Sequence, residues 1–430
     1  MIINNRFYSI VPDPNTIYYL YNSIKLFFDN GGGDAYIVSV GPYGAPSGKP
    51  AIPGEPIVNP NVQLNELTSG LNLLRQEQEP TMYICPEATL LSLDNNASLM
   101  QTMLLQSSEM QTAVCIFDII GGDNPDPLNY MDDIEAFRIN TGSNGLDFGT
   151  AYYPFVGTTI MQTSDIDYTN LFGGDLSQLQ ALLSPPDNPN ASVDVIIANI
   201  ENPPGGVPLT TSQYNNSLLV ASATYNTMIA NVLIDANILP PSAGMAGVIT
   251  VTDSQVGPWE SPANTSMLDV VSLPIKLSET QQGDLNVDAV SGKSINAIRF
   301  FNGLGILIWG ARTLDGNSQD WRYLSVRRTM IYMEQSCKLA ANAYVFAPNN
   351  KNTWESVKAM IGSFLNDVWK QGGLQGASGA EAFSVECGLG ATMTSEDILN
   401  GFMIVTIKVA VVRPAEFIVL TFQQQMATSS

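Results

Sequence analysis

Apolar positions along this chain recur with two periods, and their order describes a mixed α/β protein. Between Thr16 and Asp29 they fall at Ile17, Leu20, Tyr21, Ile24, Phe27 and Phe28, the spacing of one helix face, with Asn15 or Thr16 as a cap. The glycines at 31–33 end that helix, and AYIVSV (35–40) follows as a buried strand. A proline- and glycine-rich linker fills 41–62. Beyond it the pattern predicts a helix over 65–76, a strand at 81–86, a helix over 95–108, a strand at 113–119 and a helix over 131–139. An aromatic strand at 151–156 comes next. SVDVIIANI reads as a strand ending at Ile200, and 218–237 as a helix. Residues 157–215, broken by Pro185-Pro186 and by NPPGGVP, read as a surface elaboration on an α/β core.

The C-terminal third is more regular. Extended segments at 285–290 and 294–301 precede a short apolar strand, Gly305 to Trp309. Residues 322–341 place Tyr323, Val326, Met330, Met333, Cys337 and Ala341 at helical spacing. A strand stub is expected at 343–346, a helix over 354–370 and a strand at 383–387. A one-turn helix follows Ser395. The chain then runs as two extended segments, 402–412 and 416–424, separated by Arg413-Pro414-Ala415. Both faces of the last are largely apolar, and an open strand of that kind invites pairing with another chain. The expected division is 1–80, 81–311 and 312–430, long enough for well-buried cores.

Charge changes this picture most. The net charge is -22, yet it is unevenly spread. Residues 139–275 carry 11 acidic side chains and no Lys or Arg, whereas 276–430 carry 13 of each sign. The middle stretch therefore has no internal salt bridge available and should face water. Four of the eighteen cations, Arg312, Arg322, Arg327 and Arg328, fall within seventeen positions. Such acidity argues against nucleic acid as a partner. No apolar run approaches the length of a membrane span, and the N-terminal residues lack the basic and apolar regions of a secretory signal.

Candidate chemistry is sparse. The absence of histidine removes Ser-His-Asp and Cys-His triads and HExxH sites together. Cys85, Cys115, Cys337 and Cys387 have no ligand spacing and read as buried free thiols. The triple glycine precedes a strand rather than a helix and is followed by no lysine, so it is a turn and not a phosphate cradle. Asp118, at the end of its strand, reads as a capping or structural carboxylate, and the Asp-rich loops 123–127 and 164–167 as solvated turns. A carboxylate-pair glycoside hydrolase remains a remote alternative. A polar surface, no catalytic base, clustered arginines and a β-rich tail suit a self-assembling structural protein better. No cofactor or metal is expected.

From Leu239 the residues become specific: PPSAGMAGVITVTDSQVGPWESPAN, DLNVDAVSGKSINAIRFFNGLGILIWGARTL, DWRYLSVRRTMIYMEQS, VFAPNNKNTWESVK, EAFSVECG and VVRPAEFIVLTFQQQ. FFDNGGGDAYIVSV and residues 83–120 add a looser likeness. The chain closely resembles the sheath proteins of contractile phage tails and of tail-like injection systems. The resemblance implies a homo-oligomer in stacked hexameric rings or an equivalent helical array around an inner tube protein. Baseplate and terminal cap proteins complete the set, and contraction drives the tube through a target envelope without membrane insertion by the sheath. Assembly in the cytoplasm of a producing bacterium is implied, as part of a phage tail or an injection particle. A non-contractile tail or capsid component is the alternative.

The resemblance also implies exchange of terminal strands between neighbouring subunits. Here Phe402, Ile404, Ile407, Val409, Glu416, Phe417, Ile418, Val419, Leu420 and Phe422 are the candidates. Electrostatic contacts to the tube or to a neighbour fall to Arg322, Arg327 and Arg328, with Lys338, Lys351, Lys358 and Lys370 behind them. Asp320 and Glu334 are the competing internal partners for the arginines. The resemblance implies an N-terminal arm before this region, and because FFDNGGG is reached by residue 33 that arm is expected to be truncated or absent, or else unlike the usual one in sequence.

Overall fold

In a computed structural model, residues 2–3, 6–288 and 290–417 are described. They form a mixed α/β structure in two compact units, 1–251 with 262–322, and 252–261 with 323–430.

The first unit is organised by a five-stranded sheet, preceded in the chain by a two-residue ladder of β1 (Ile2–Ile3) and β2 (Arg6–Phe7). Its strands are β3 (Met82–Ile84), β4 (Val114–Asp118), β5 (Gly149–Tyr153), β9 (Asn296–Phe301) and β10 (Gly305–Trp309), in the order β10-β9-β5-β4-β3. The first four run parallel, and β10 turns back on β9 as an antiparallel hairpin with Ala297 opposite Trp309. Strand β4, VCIFD, is buried at every position, as a parallel strand covered on both faces must be.

Crossover helices α3 (Leu93–Met110) and α4 (Tyr130–Asn140) supply Leu99, Met103, Leu104, Ile134 and Phe137 to a core shared with Cys115, Phe117, Tyr153 and Leu314. Gln111, in the left-handed region at φ 55°, closes α3. Helices α1 (Leu20–Asp29) and α2 (Leu64–Leu73) stand where a helical period was read.

Residues 35–40 are the main departure from expectation. They are extended but belong to no ladder, and most are exposed. Continuous β-propensity identified a strand, but pairing is a tertiary event, and in this arrangement it has not occurred.

A helical module follows β6 (Val156–Thr158), the central strand of a small antiparallel sheet with β7 (Ile238–Leu239) and β8 (Val270–Ser272). Its helices are α5 (Leu176–Leu183), α6 (Ala191–Glu201), α7 (Thr211–Ala221) and α8 (Ala223–Ala236). The expected strand at 192–200 is therefore helix α6. Asn190 accepts from Ser192 N and Val193 N at its start, and Val193 and Ile197, four apart, turn inward. This module has its own core, including Leu179, Leu183, Tyr214, Leu218, Tyr225 and Ile229, and is more than a surface loop.

Without lysine or arginine, the module is capped and cross-linked by neutral and acidic groups. Asp175 caps α5, and donation from the Ser177 and Gln178 side chains holds it down at about 2. Deep in the core, Tyr225 Oη donates to Asn215 Oδ1 over 2.6 Å. Tyr225→Phe keeps the packing but takes away that donor, and is expected to cost about 1–2 kcal/mol in urea unfolding. A neutral result would show that Asn215 finds another donor.

Helix α9 (Ser242–Gln255) had no periodic signature: Ser242 to Ile249 are all buried, so no polar face marks it. It belongs to the first unit as far as Val251 and to the second from Thr252. Helix α10 (Glu279–Asn286) takes the place of the first part of the extended segment expected at 285–290.

The second unit is built on α11 (Leu324–Ala341) and α12 (Lys351–Lys370). Val357, Ile361, Leu365 and Val368 of α12 form a buried stripe against Met333, Cys337, Leu374 and Trp259. Asn350 caps α12 by accepting from Asn352 N at 3.0 Å. Short helices α13 (Gly379–Ala382) and α14 (Ser395–Leu399) frame an antiparallel pair, β11 (Phe383–Glu386) and β12 (Thr406–Val409). The stub expected at 343–346 is instead a 3-10 turn over 342–344 and an exposed loop.

Candidate assembly interface

The C-terminal segment is held in the second unit by its alternation. Met403, Val405, Ile407, Val409 and Val411 pack on the core there. Phe402, Ile404 and Lys408 fall on the exposed face. Phe383 stands opposite Val409 and Val385 opposite Ile407. Beyond β12 the chain continues along 373–375, with Gln375 N donating to Ala410 O at 2.7 Å.

Only β11 and β12 make up this sheet among the described residues, so each keeps one edge without a strand partner. The predicted strand over 402–412 is thus shorter than expected, running from Thr406 to Val409. Glu416 accepts from Tyr323 Oη at 3.2 Å, and Phe417 is exposed. Ile418, Val419, Leu420 and Phe422 lie outside the described residues.

The cations divide into two groups. Arg327 and Arg328 are 5% and 8% exposed, and Arg328 is committed within the unit. Its Nη1 donates to Asp253 Oδ1 at 2.6 Å and its Nη2 to Asp253 Oδ2, a two-pronged fork. The partner is Asp253 rather than the Asp320 or Glu334 that spacing offered. Burial pushes the Glu334 carboxyl up, with the nearby Arg327 pulling the other way.

In the first unit, half-buried Arg322 donates from Nε to Ser318 O at 2.9 Å. Arg138, Lys293 and Arg312 are also buried. Lys338, Lys351 and Lys370 of the second unit are exposed, with no ion-pair partner among the described residues. Lys358 pairs with Glu355 at 2.8 Å. Exposed Lys408 on β12, without an ion-pair partner among the described residues, was missed by sequence reasoning, which attended to charge clusters rather than to strand face.

A second missed feature is apolar. Phe346, at φ 66°, is fully exposed, and Asn349 Nδ2 donates to Phe402 O at 2.8 Å, joining its loop to that of Phe402. The strand expected at 343–346 hid this loop.

All four cysteines are free, and burial raises their thiols, that of Cys115 to about 12. Among the described residues no cluster of Cys, Asp and Glu fits a metal ion. Asp118 accepts from the backbone N of Ser242 at 2.8 Å and from its hydroxyl, at the start of α9. It has the capping role its position implied.

Residues 317–425 match the family model described as phage tail sheath C-terminal domain. A tail sheath protein of Vibrio phage KVP40 is 28% identical over 204 residues, 45% of this chain but only 30% of that protein's length. Among solved structures, a chain of the anti-feeding prophage (AFP) baseplate, 6-fold symmetrised, is similar with TM-score 0.61 and 25% identity over 96% of this chain and 84% of its own. A chain of the PVC sheath complex, an extracellular contractile injection system in the contracted state, gives TM-score 0.61 and 25% identity, covering 95% and 81%. The AFP helical sheath in the contracted state gives 0.57 and 25%, covering 94% and 81%.

Proposed function

We propose that this chain, which is similar to tail sheath proteins of a contractile phage and of contractile injection systems, is the structural subunit of a contractile sheath. The observation that carries this reading is likeness along nearly the whole chain to chains of the PVC sheath complex and of the AFP helical sheath, both in the contracted state. The role is mechanical rather than catalytic. Copies of the chain stack as rings or as a helical array around an inner tube, bounded by a baseplate and a cap. Contraction moves the array from one set of subunit contacts to another.

The second unit does the linking. Its tail, from Glu416 through Phe422 and beyond, adds as a strand to an open edge of β11 or β12 in a neighbouring copy. Lys338, Lys351, Lys370 and Lys408 face acidic groups on the tube or on that neighbour, and Lys358 joins them if it leaves Glu355. Arg322, half-buried, is placed to contribute at the margin. The acidic groups of 139–275 lie mostly outward, where like charge is screened by water.

Deleting residues 416–430 tests the reading. The expected product is a soluble chain with unchanged helical content that forms no long sheath by electron microscopy, while the full-length chain forms tubes of two lengths and diameters. Long contractile sheaths from the truncated chain would overturn strand exchange. A single tubular state from the full-length chain would point to a non-contractile component.

A further inference from the structure

The first unit contains a cavity of about 770 Å³ lined on one side by β3 and on the other by residues 34–43. Its floor includes Leu71, Tyr83, Leu99 and Met103, members of the main core. Among the described residues no strand pairs with the outer edge of β3, and residues 34–43 make no backbone–backbone hydrogen bond. Two extended backbones with unused donors and acceptors therefore face one apolar slot. Unpaired backbone beside a core is costly, and the usual remedy is a ladder.

We propose that residues 35–40 close onto the free edge of β3 as a sixth strand of the sheet, eliminating the cavity, and that the arrangement in the structure is the open state of this strap.

Topology supports the assignment. From β3 to β4 to β5 each strand lies beside its predecessor and parallel to it, with α3 and then α4 as the crossovers. Extended backwards by one step, the rule requires a strand before α2 on the open side of β3. Residues 35–40 occupy that place in the chain, and AYIVSV has the apolar, β-branched composition of a covered parallel strand.

Side-chain anchors are already in position. A Cβ built on Gly70 of α2 would stand 2.6 Å from Val40 Cγ1 and 3.2 Å from Val38 Cγ1, so the helix keeps a notch for these valines. Tyr36 Oη hydrogen-bonds Glu79 Oε2 just upstream of β3. Closure therefore requires a shift of the backbone between anchors rather than a search for a new site. In the open state Tyr36, Ile37 and Val40 remain exposed, and the edge of β3 is open to any other extended chain.

Hydrogen exchange on the full chain tests this. The amides of 35–40 that turn toward β3, every second one, are expected to exchange about 100-fold more slowly than in a synthetic peptide of the same sequence, because a mostly closed strap protects them. Val38→Pro removes one ladder donor and should speed exchange both at 35–40 and at 82–84, while 114–118 in β4 stays protected. If that variant does not fold, Gly70→Val, which fills the valine notch, should produce the same paired loss. Peptide-like exchange of 35–40 in the wild type would overturn the proposal. So would a folded variant that frees 35–40 and leaves 82–84 unchanged.

Discussion

Asp253→Ala is expected to destabilise the second unit by about 2–4 kcal/mol, because it leaves the Arg328 guanidinium buried and without its counter-charge. The pair is well placed for so large an effect. Arg328 is 8% exposed on α11, Asp253 is 27% exposed in the last turn of α9, and both terminal guanidinium nitrogens are engaged. The partial exposure of Asp253 keeps the expectation below that for a fully enclosed pair. A bidentate fork also fixes orientation, so Arg328→Lys, which keeps charge but loses the fork, should fall between wild type and Arg328→Ala. The double replacement Arg328→Met with Asp253→Leu should recover most of the loss, since no unpaired charge remains. Guanidinium unfolding of the full chain, with exchange of α11 and α12 amides as the local probe, measures all four. Equal stability of Asp253→Ala and wild type would mean that the fork contributes orientation only.

That pair also marks the limit of what spacing along the chain reveals. An arginine cluster in an acidic protein is visible in the sequence, and Asp320 and Glu334 are its neighbours by number. Its actual partner stands 75 positions away, brought there by the path of α9, whose wholly buried first half carries no period to detect. Strands β4, β9 and β10 and helices α11 and α12 were legible because each is a sustained pattern bounded by breakers. Helix α6 was misread because Val195, Ile196 and Ile197 are β-branched and contiguous, and their bulk outweighed the Asn190 cap. Residues 35–40 have strand chemistry without a strand partner, so local preference and tertiary pairing give different answers. Of the candidate interface, strand alternation was readable, but which cations remain at the surface depends on packing that spacing does not encode.

The other large expected effect is a stability that falls as pH rises through the near-neutral range, with Asp118 as its source. This carboxyl is buried at the end of β4, and desolvation raises it from 3.8 to about 7, against donation from the Ser242 side chain and backbone. Glu87, itself pushed up by burial and accepting from Leu20 N at 2.6 Å, adds a like charge in the same direction. Between about pH 4 and 7 the native chain binds a proton at Asp118 that the unfolded chain has released, so unfolding becomes easier as pH rises across that window. A shift of about three units corresponds to about 4 kcal/mol, complete above pH 7 and absent below pH 4. Asp133, raised by burial to about 6, adds to the same trend, so the total curve does not isolate Asp118. The difference between wild type and Asp118→Asn does. Asparagine still accepts from Ser242 N but carries no charge, so the variant should gain on wild type from pH 4 to 7 and hold a constant advantage above it. A difference curve flat across pH 4–8 would place the titration elsewhere and leave Asp118 as a helix cap alone.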